Sequence, residues 1–201
     1  MTSAHILDPA SYITMPWKNG LGSTVEIIKK HIPGSEDFAW RISMADVTTN
    51  GPFSYFENYD RTLLLLKGNG ISLSIKKPDK NRAEMLTLTK ILQAAQFRGE
   101  DLTVAALHSG PITDFNVMSH RDYCDVDTVC GHEAEQTRIA MECDEALIYC
   151  VTGNLSIDSD SGRNWVLAEK FTLHITKPAE QSFIFTGGKF IAIQVRNKIT
   201  D

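Results

Sequence analysis

Charged side chains that could hold a small molecule stand at two predicted strands. Asp60 and Arg61 directly precede the apolar run Leu63–Leu66, and an ion-pair-capable dipeptide at this position suits the mouth of a β-barrel pocket. The exposed start of a surface strand is the alternative, and the sequence leaves both open. Arg41 lies in the predicted strand Phe38–Ala45, where large apolar residues alternate with small or polar ones. Its face of the strand is therefore either solvent or the lumen of a barrel.

A second polar group surrounds a turn near the N-terminus. Trp17, Lys18 and Asn19 stand beside a glycine-rich turn, and Glu26 lies in the strand Thr24–Ile28 that follows it. A chain reversal needs only the glycines. The three large polar side chains next to them therefore indicate a functional role, although a plain turn remains the alternative.

His and Cys residues lack the spacing of a metal site. The His residues are scattered along the chain, and Cys124, Cys130 and His132 match no common zinc pattern. In the reducing cytoplasm we expect the cysteines to be free thiols. Cys150 lies in an apolar run and is expected in the core.

Composition and charge exclude several classes of protein. The chain has 201 residues, of which 42% are hydrophobic and 22% charged, as in globular proteins with ample core material. The formal net charge of -5 and the lack of a Lys/Arg block argue against nucleic acid or an anionic membrane as partner. No apolar run approaches the ~20 residues of a membrane helix, and the N-terminus does not resemble a signal peptide. We therefore expect a cytoplasmic protein.

Turn signals divide the chain into short strands. Gly51-Pro52 predicts a turn before an aromatic cluster. Asn69-Gly70 predicts a type I′ hairpin that joins Leu63–Leu66 to the alternating strand Ile71–Ile75. Little of the chain shows a helical period. We expect one helical turn after Asp8 and a short helix within residues 132–141.

The second half of the chain repeats short motifs of the first half in the same order. Lys67-Gly68-Asn69 recurs as Thr152-Gly153-Asn154, and Leu73-Ser74-Ile75 recurs as Leu155-Ser156-Ile157. Such ordered repetition indicates an internal duplication. With many strands and frequent turns, it predicts an all-β protein of two tandem barrels or sandwiches.

Four separated motifs resemble the HutD/Ves family: PWKNGLGSTVEI, FAWRISMADV, GPFSYFENYDRTLLLLKGNG and DFNVM. The resemblance covers most of Met15 to Arg121. It implies a bicupin, with two RmlC-like cupin-type β-barrels in one chain, and an association with the regulation of histidine utilisation in bacteria. The expected domains are an N-terminal cupin barrel over residues 1–121 and a C-terminal cupin-like barrel over residues 122–201, packed as one compact unit.

The resemblance also implies a small-molecule pocket in the first barrel. Its expected lining residues are Trp17, Lys18, Asn19, Glu26, Arg41, Ser43, Asp60, Arg61, Asp114 and Asn116. Metal-binding cupins place a His-x-His pair and a Glu ahead of the glycine turn, whereas Glu57, Tyr59 and Arg61 precede Gly68 here. We therefore expect a barrel with no metal and no other cofactor.

A pocket lined by Lys18, Arg41 and Arg61 suits a carboxylate, because guanidinium groups bind carboxylates through two parallel charge-assisted hydrogen bonds. Urocanate and N-formylglutamate, two intermediates of histidine breakdown, both carry carboxylates, and these residues do not distinguish them. A ligand-binding regulatory protein without turnover is the favoured function.

Two alternatives stay open. One is a metal-free cupin-type enzyme, an isomerase or hydrolase, with Glu26 or Asp60 as general base and Lys18 or Arg41 stabilising an oxyanion. The other is a stress-related protein with an unidentified ligand, in keeping with the Ves name. The sequence does not decide whether the protein forms a homodimer.

Overall fold

The computed structural model of the protein describes residues 2–17, 22–133, 136–178 and 181–198. Over these ranges the chain forms β-strands and one 3-10 turn, Pro9–Ser11, which Asp8 begins as predicted by accepting a hydrogen bond from the Ala10 amide (2.8 Å). None of the described residues forms a helix long and apolar enough to cross a membrane. The strands are β1 (Ser3–Leu7), β2 (Ile13–Pro16), β3 (Gly22–His31), β4 (Phe38–Val47), β5 (Gly51–Pro52), β6 (Tyr59–Lys67), β7 (Ile71–Lys76), β8 (Glu84–Leu88), β9 (Ala94–Arg98), β10 (Leu102–Leu107), β11 (Ile112–His120), β12 (Cys124–Gly131), β13 (Thr137–Met141), β14 (Glu145–Ser159), β15 (Asn164–Ala168), β16 (Thr172–Thr176) and β17 (Gln181–Asn197).

The chain divides into two units. The first unit is Tyr12–Tyr123, and the second joins residues 2–11 to residues 124–198. The start of the chain belongs to the second unit because β1 pairs antiparallel with β16, from Ser3 opposite Thr176 to Leu7 opposite Thr172. The predicted N-terminal domain, residues 1–121, had included this strand. A pairing between strands so far apart in sequence leaves no local signal.

The first unit consists of two antiparallel sheets that share one core. The larger sheet has the order β2-β3-β4-β11-β6-β9 and the smaller one β5-β10-β7-β8. Leu63 and Leu65 of β6 and Leu73 of β7 belong to one cluster of buried apolar residues, so the core takes side chains from both sheets. Leu63, Leu65 and Leu73 are fully buried, which confirms the predicted buried strand and the alternating one that follows it.

The Asn69-Gly70 turn is not the predicted hairpin. β6 pairs with β9 and β11, whereas β7 pairs with β8 and β10, so the turn carries the chain from one sheet to the other. Gly68 has a φ of +105°, and a Cβ there would lie 2.7 Å from the Pro111 carbonyl oxygen. Glycine is needed at Gly68 for this sheet crossing. A two-residue signal cannot show whether the flanking strands pair with each other.

Two other local predictions were also wrong. Gly51-Pro52 is a short strand, β5, in which Pro52 lies opposite Val104 of β10, and not a turn. The range predicted to hold a short helix contains β13, which pairs with β17; residues 134 and 135 lie outside the described residues. Ile139 and Met141 of β13 are buried and the residues between and before them are not, a period of two that is typical of a strand.

The second unit repeats the strand pairing of the first. β17 pairs with both β12 and β13, and β14 pairs with both β15 and β16, because each of these two long strands extends through both halves of its sheet. The path β4-β11-β6-β9 of the first unit corresponds to β12-β17-β14-β16, and β5-β10-β7-β8 corresponds to β13-β17-β14-β15. Gly153, with a φ of +78°, marks the point where β14 changes neighbours.

Candidate functional site

A cavity of about 800 Å³ lies in the first unit. This volume is typical of sites that hold small molecules. The walls come from strands β2 to β6, β10 and β11 and from the segments that follow β2, β4 and β5. The residues are Met15, Pro16, Trp17, Thr24, Arg41, Ser43, Ala45, Val47, Thr49, Asn50, Gly51, Pro52, Phe53, Ser54, Phe56, Arg61, Ala105, Asp114 and Asn116.

The cavity brings together most of the predicted site residues that the structure describes. These are Trp17, Arg41, Ser43, Arg61, Asp114 and Asn116. Glu26 and Asp60 are described and do not line the cavity. Lys18 and Asn19 lie outside the described residues, so their predicted places in the site remain predictions.

Strand alternation explains how the polar residues share one surface. Ser43 of β4 lies opposite Asn116 of β11, and Ala45 lies opposite Asp114. Residues two apart point to the same side of a strand, so Arg41 faces the cavity together with Ser43. The lumen alternative for Arg41 is thus the one that the structure shows.

Arg61 is a buried cation with donors to spare. Its side chain is 6% exposed, and its guanidinium donates to Asn116 Oδ1 (2.9 Å) and to the Ser54 carbonyl oxygen (3.4 Å). Its Cζ lies 4.9 Å from the centre of the Phe53 ring and 5.1 Å from that of Phe97. Burial lowers the pKa of Arg61 to about 10, so the group stays charged at neutral pH. Its Nε is buried with no hydrogen-bond partner among the described residues.

Arg41 has a similar environment. Its guanidinium lies 5.6 Å from the ring centre of Phe56, and the Arg61 guanidinium lies 5.9 Å from the same ring. Phe56 therefore contacts both cations through its π-face. Burial lowers the pKa of Arg41, and the negative charge of Glu26 opposes that shift. Within the described part of the chain, the buried Nε of Arg41 also has no hydrogen-bond partner.

Asp114 is the acidic group of the cavity. It is fully buried, and its Oδ1 accepts a hydrogen bond from Asn116 Nδ2. Burial raises the pKa of Asp114 to about 7; Arg61 lowers it, and Asp46 raises it further. Its second oxygen, Oδ2, is buried without a hydrogen-bond partner in the residues that the structure describes.

Three residues that line the cavity therefore carry orphan atoms: Arg41 Nε, Arg61 Nε and Asp114 Oδ2. We call them orphan atoms because the described residues supply none of them with a hydrogen-bond partner. Buried polar atoms without partners are rare in folded proteins, and each costs about 1–3 kcal/mol. Two donors and one carboxylate oxygen in this state give the cavity wall unused hydrogen-bonding capacity.

Trp17 forms part of the cavity wall. Its indole Nε1 donates to Thr24 Oγ1 (2.9 Å), and its amide donates to the Gly22 carbonyl oxygen (2.9 Å). A Cβ on Gly22 would lie 2.8 Å from the indole ring and 2.4 Å from the Asp46 carbonyl oxygen. Gly22 is therefore required for close packing beneath Trp17, which is one reason for the glycine-rich segment.

Asp60 belongs to a separate ion-pair cluster. Its carboxylate lies 3.1 Å from Arg121 Nη1, and Arg121 also contacts Glu100 at 2.5 Å. Asp60 and Arg61 are consecutive in β6, so their side chains point to opposite faces and only Arg61 reaches the cavity. The structure places Asp60 in a surface network, away from its predicted position in the pocket.

Glu26 lies next to the site and outside its lining. It is 5% exposed, and its carboxylate pairs with Lys29 Nζ at 3.2 Å. In the sheet it lies opposite Ser43, which explains why its charge acts on Arg41. Glu26 therefore places a negative charge close to Arg41 without lining the cavity.

Several residues of the cavity lining were not among the predicted site residues, above all Phe53, Ser54 and Phe56. They lie in the loop between β5 and β6, where the amides of Phe53 and Phe56 donate to the carbonyl oxygens of Thr103 and Gly99 (both 2.9 Å). The aromatic cluster before Asp60 was a visible signal. Aromatic faces near arginines often stabilise buried guanidinium groups.

His, Cys, Asp and Glu are the side chains that most often hold metal ions in proteins. Among the described residues, no group of three or more of them is arranged to hold a metal ion. Two arginines in the cavity also disfavour a cation. That the protein contains no metal remains a prediction, and elemental analysis of the purified protein tests it.

The strand arrangement is that of cupin-like proteins. An oxalate decarboxylase from Lactobacillus farciminis aligns with 98% of this chain and 87% of its own, with a TM-score of 0.66 and 8% identity. At this identity the likeness concerns the fold alone. The protein is thus an all-β protein of cupin-like fold with a charged cavity.

The family is narrower than the fold. The HutD family profile matches residues 9–193, and the chain belongs to the HutD family. HutD from Pseudomonas fluorescens SBW25 aligns with 98% of this chain and 100% of its own, with a TM-score of 0.83 and 26% identity.

Two curated relatives agree with this family. Protein Ves of Citrobacter koseri is 30% identical over 171 residues, 82% of this chain and 84% of the relative. A 21.2 kDa protein from the hutC 3′ region of Pseudomonas putida is 34% identical over 119 residues, and the match spans 59% of each chain.

Proposed function

We propose that this protein binds a small carboxylate in the cavity of the first unit and acts, without turnover, as a regulatory component of histidine utilisation. The observation that carries the proposal is the pair of orphan guanidinium atoms, Arg41 Nε and Arg61 Nε, on one cavity wall. A carboxylate offers two acceptor oxygens to such donors, and charge-assisted hydrogen bonds are about twice as strong as neutral ones.

The charge of the cavity supports an anionic ligand. Arg41 and Arg61 bring two positive charges, and Asp114 with its raised pKa offsets them only in part near neutral pH. Since no lysine or arginine is easily buried without a counter-charge, an incoming carboxylate would also relieve the repulsion between the two cations.

The pathway rests on the relatives. The Pseudomonas putida relative is named for its place beside hutC, and the HutD family is associated with histidine utilisation. Urocanate and N-formylglutamate are the carboxylates of that pathway that we propose as ligands. A stress-related role with another ligand, suggested by the Ves name, uses the same carboxylate chemistry.

One observation favours an enzyme as the second candidate. A carboxyl group whose pKa is about 7 is suited to act as a general base at neutral pH, and Asp114 is such a group inside the cavity. The bases first considered, Glu26 and Asp60, do not line the cavity. Incubating the protein with urocanate or N-formylglutamate and following the products by chromatography separates the two functions, because turnover would contradict the binding proposal.

The cupin-like fold supports a further part of the proposal, that the two units are cupin-type barrels derived from one duplicated ancestor. What supports it is the shared pairing order of the strands and the matching glycine turns at Gly68 and Gly153. Independent evolution of the same pairing order in both halves is the less economical explanation.

Isothermal titration calorimetry tests the proposed ligand class. Urocanate and N-formylglutamate are titrated into the wild type, Arg61→Ala and the control Arg98→Ala, whose side chain is exposed on the neighbouring strand. Loss of a charge-assisted hydrogen bond costs about 1.5–3 kcal/mol, so Arg61→Ala should weaken binding roughly ten- to a hundredfold. If neither acid binds the wild type, or if Arg61→Ala binds as well as Arg98→Ala, the proposal is wrong.

A further inference from the structure

The third orphan atom points to a second group on the ligand. Asp114 lines the same cavity as Arg41 and Arg61, and when it is ionised its Oδ2 is an acceptor that a ligand's carboxylate cannot satisfy. We infer that Asp114 accepts a hydrogen bond from an N–H group of the ligand, so that the cavity selects carboxylic acids that also carry an N–H donor. This inference rests on the proposed function and adds the specificity-determining residue.

The hydrogen-bond chain around Asn116 fixes which oxygen of Asp114 is available. A guanidinium group only donates, so Asn116 must present its oxygen to Arg61 and its NH₂ group to Asp114. Asp114 Oδ1 is therefore always an acceptor within the protein. Oδ2 is left for the ligand, and it is also the oxygen that carries the proton when Asp114 is neutral.

The groups that act on Asp114 come from each strand packed against it. Arg61 lies on β6, Asp46 lies on β4, and Asn116, which donates a hydrogen bond, is two residues along β11. Arg61 favours the ionised carboxyl, whereas Asp46 and burial favour the neutral one. These opposing influences keep both protonation states accessible near neutral pH. The ligand can therefore decide between them.

A ligand N–H and a ligand without a donor place opposite demands on Asp114. An N–H group pairs with the ionised Oδ2, so such a ligand favours loss of the proton. A ligand that carries only hydrogen-bond acceptors leaves Oδ2 of the ionised Asp114 without a partner. Such a ligand avoids this cost only by binding the protein in which Asp114 is neutral. Sites built to hydrogen-bond a polar group reject analogues that lack it, because a buried atom then stays unpaired.

Both proposed ligands meet the requirement. Urocanate carries an imidazole N–H and N-formylglutamate an amide N–H, each in addition to a carboxylate. A simple dicarboxylate such as glutarate carries none. The requirement thus narrows the ligand class from carboxylates in general to acids with a nitrogen-bound hydrogen.

Two analogues of urocanate isolate this single contact. In 3-(1H-pyrrol-3-yl)acrylate the ring carries an N–H, and in 3-(furan-3-yl)acrylate an oxygen replaces it; neither ring titrates near neutral pH. At about pH 8.5, where Asp114 is ionised, calorimetry should show that the wild type binds the pyrrole roughly ten- to a hundredfold more tightly, as expected for one buried unpaired acceptor.

The variant Asp114→Asn tests whether the preference for the pyrrole analogue depends on Asp114 Oδ2. Its amide oxygen can still accept from Asn116, while an NH₂ group replaces Oδ2, so the preference for the pyrrole should disappear. Asp60→Asn, an exposed carboxylate outside the cavity, is the matched control and should keep the wild-type preference. Thermal melts of both variants check that each of them is folded.

The outcomes separate this inference from the proposed function. Equal affinity of the wild type for both analogues, with binding still dependent on Arg61, overturns the inference and leaves the carboxylate site standing. An unchanged preference in Asp114→Asn overturns it as well. If the wild type binds neither analogue and neither urocanate nor N-formylglutamate, both the inference and the proposed function are wrong.

Discussion

The two units share their strand pairing and differ in what fills their interiors. Asp114 of β11 lies between Ala45 of β4 and Leu65 of β6. Phe190 of β17 lies between Gly131 of β12 and Cys150 of β14, which are the corresponding strands. Leu65 and Cys150 stand at the same distance before the glycine turns at Gly68 and Gly153. Phe190 in the second unit is therefore the counterpart of the buried acid in the first.

The positions next to Asp114 and Phe190 also differ in polarity between the two units. By strand register, Asn116 corresponds to Ala192, Ser43 to Val129 and Arg61 to Ala146. In the second unit Ala146, Phe190 and Ala192 belong to the apolar core cluster. Asp114, Asn116, Ser43 and Arg61 thus have apolar counterparts, whereas Arg41 corresponds to Asp127, an exposed carboxylate that pairs with Arg196.

Phe190 shows how the second unit closes its interior. The ring is 1% exposed and stacks on Phe185 at 4.4 Å between ring centres. A Cβ on Gly131 would lie 2.0 Å from the Phe190 ring, so the glycine makes room for it. Gly131 and Phe190 correspond to Ala45 and Asp114 of the first unit, so the ring fills the part of the second unit that corresponds to the surroundings of those two residues.

The comparison of the two units separates the buried polar residues from the strand framework that both units share. The same strand framework supports a filled apolar core and a charged cavity, so the framework does not require the polar residues. Buried charges with orphan atoms cost stability, and proteins retain such costs chiefly at functional sites. The difference between the units therefore favours the first unit as the place of the proposed ligand site.

The largest expected effect comes from moving the acid to the second unit. Phe190→Asp removes a buried ring and introduces a charge where no guanidinium matches that of Arg61. Replacing a buried Phe by Ala alone costs about 3–5 kcal/mol, and burying an unpaired carboxylate adds to this. Urea denaturation should show an unfolding free energy lower by at least several kcal/mol. Phe190→Leu is the control and should lose much less; equal losses would show that the charge is irrelevant.

A smaller effect is expected when the buried acid of the first unit is made permanently neutral by Asp114→Asn. Since burial raises the pKa of Asp114 from its ordinary 3.8 to about 7, the folded protein holds a proton that the unfolded chain releases. Stability therefore falls as pH rises from about 4 to about 7 and is constant above that range. Asp114→Asn should raise the melting temperature by several degrees at about pH 8.5 and change it little near pH 4. An equal effect at both pH values would contradict the raised pKa.

The same titration should appear in binding. Because 3-(furan-3-yl)acrylate offers no donor, its affinity for the wild type should decrease as pH rises through about 7, as Asp114 ionises. The affinity for the pyrrole analogue should increase over the same range. Titrations at several pH values check both slopes, and Asp114→Asn should give flat profiles. Parallel slopes for the two analogues would mean that Asp114 does not contact the ring.

The smallest effect concerns Phe56, which lies against both guanidinium groups. A cation–π contact is worth about 0.5–2 kcal/mol, so Phe56→Leu should weaken urocanate binding only a few- to about thirtyfold. Calorimetry measures the change, with Tyr55→Leu, an exposed neighbour in the same loop, as control. Equal affinities of the two variants would show that Phe56 has no part in positioning the arginines.

The sequence predicted the strands better than their partners. The alternation in β4 showed that Arg41 and Ser43 share a face, because side-chain direction is local. The partner of β1 and the sheet crossing at Gly68 depend on distant segments, and no local pattern contains that information. The same alternation rule excludes Asp60 and Arg61 from facing one cavity together, a consequence that the prediction of both residues at a pocket mouth had overlooked.

The candidate site was predicted in part. Arg61 and Arg41 followed from residue type and position, whereas Asp114 and Asn116 came from the family resemblance. The orphan state of Asp114 Oδ2 is a three-dimensional property, since it depends on which donors from β4 and β6 reach that oxygen. It could not be read from the spacing of residues.

A crystal structure with bound urocanate would show where the ligand lies. We expect its carboxylate in the first unit, within hydrogen-bond distance of Arg41 Nε and Arg61 Nε, and its imidazole N–H on Asp114 Oδ2. The apolar interior of the second unit, closed by Phe190, should hold no ligand. Ligand density in the second unit, or a carboxylate that contacts neither arginine, would show that the proposed site is wrong.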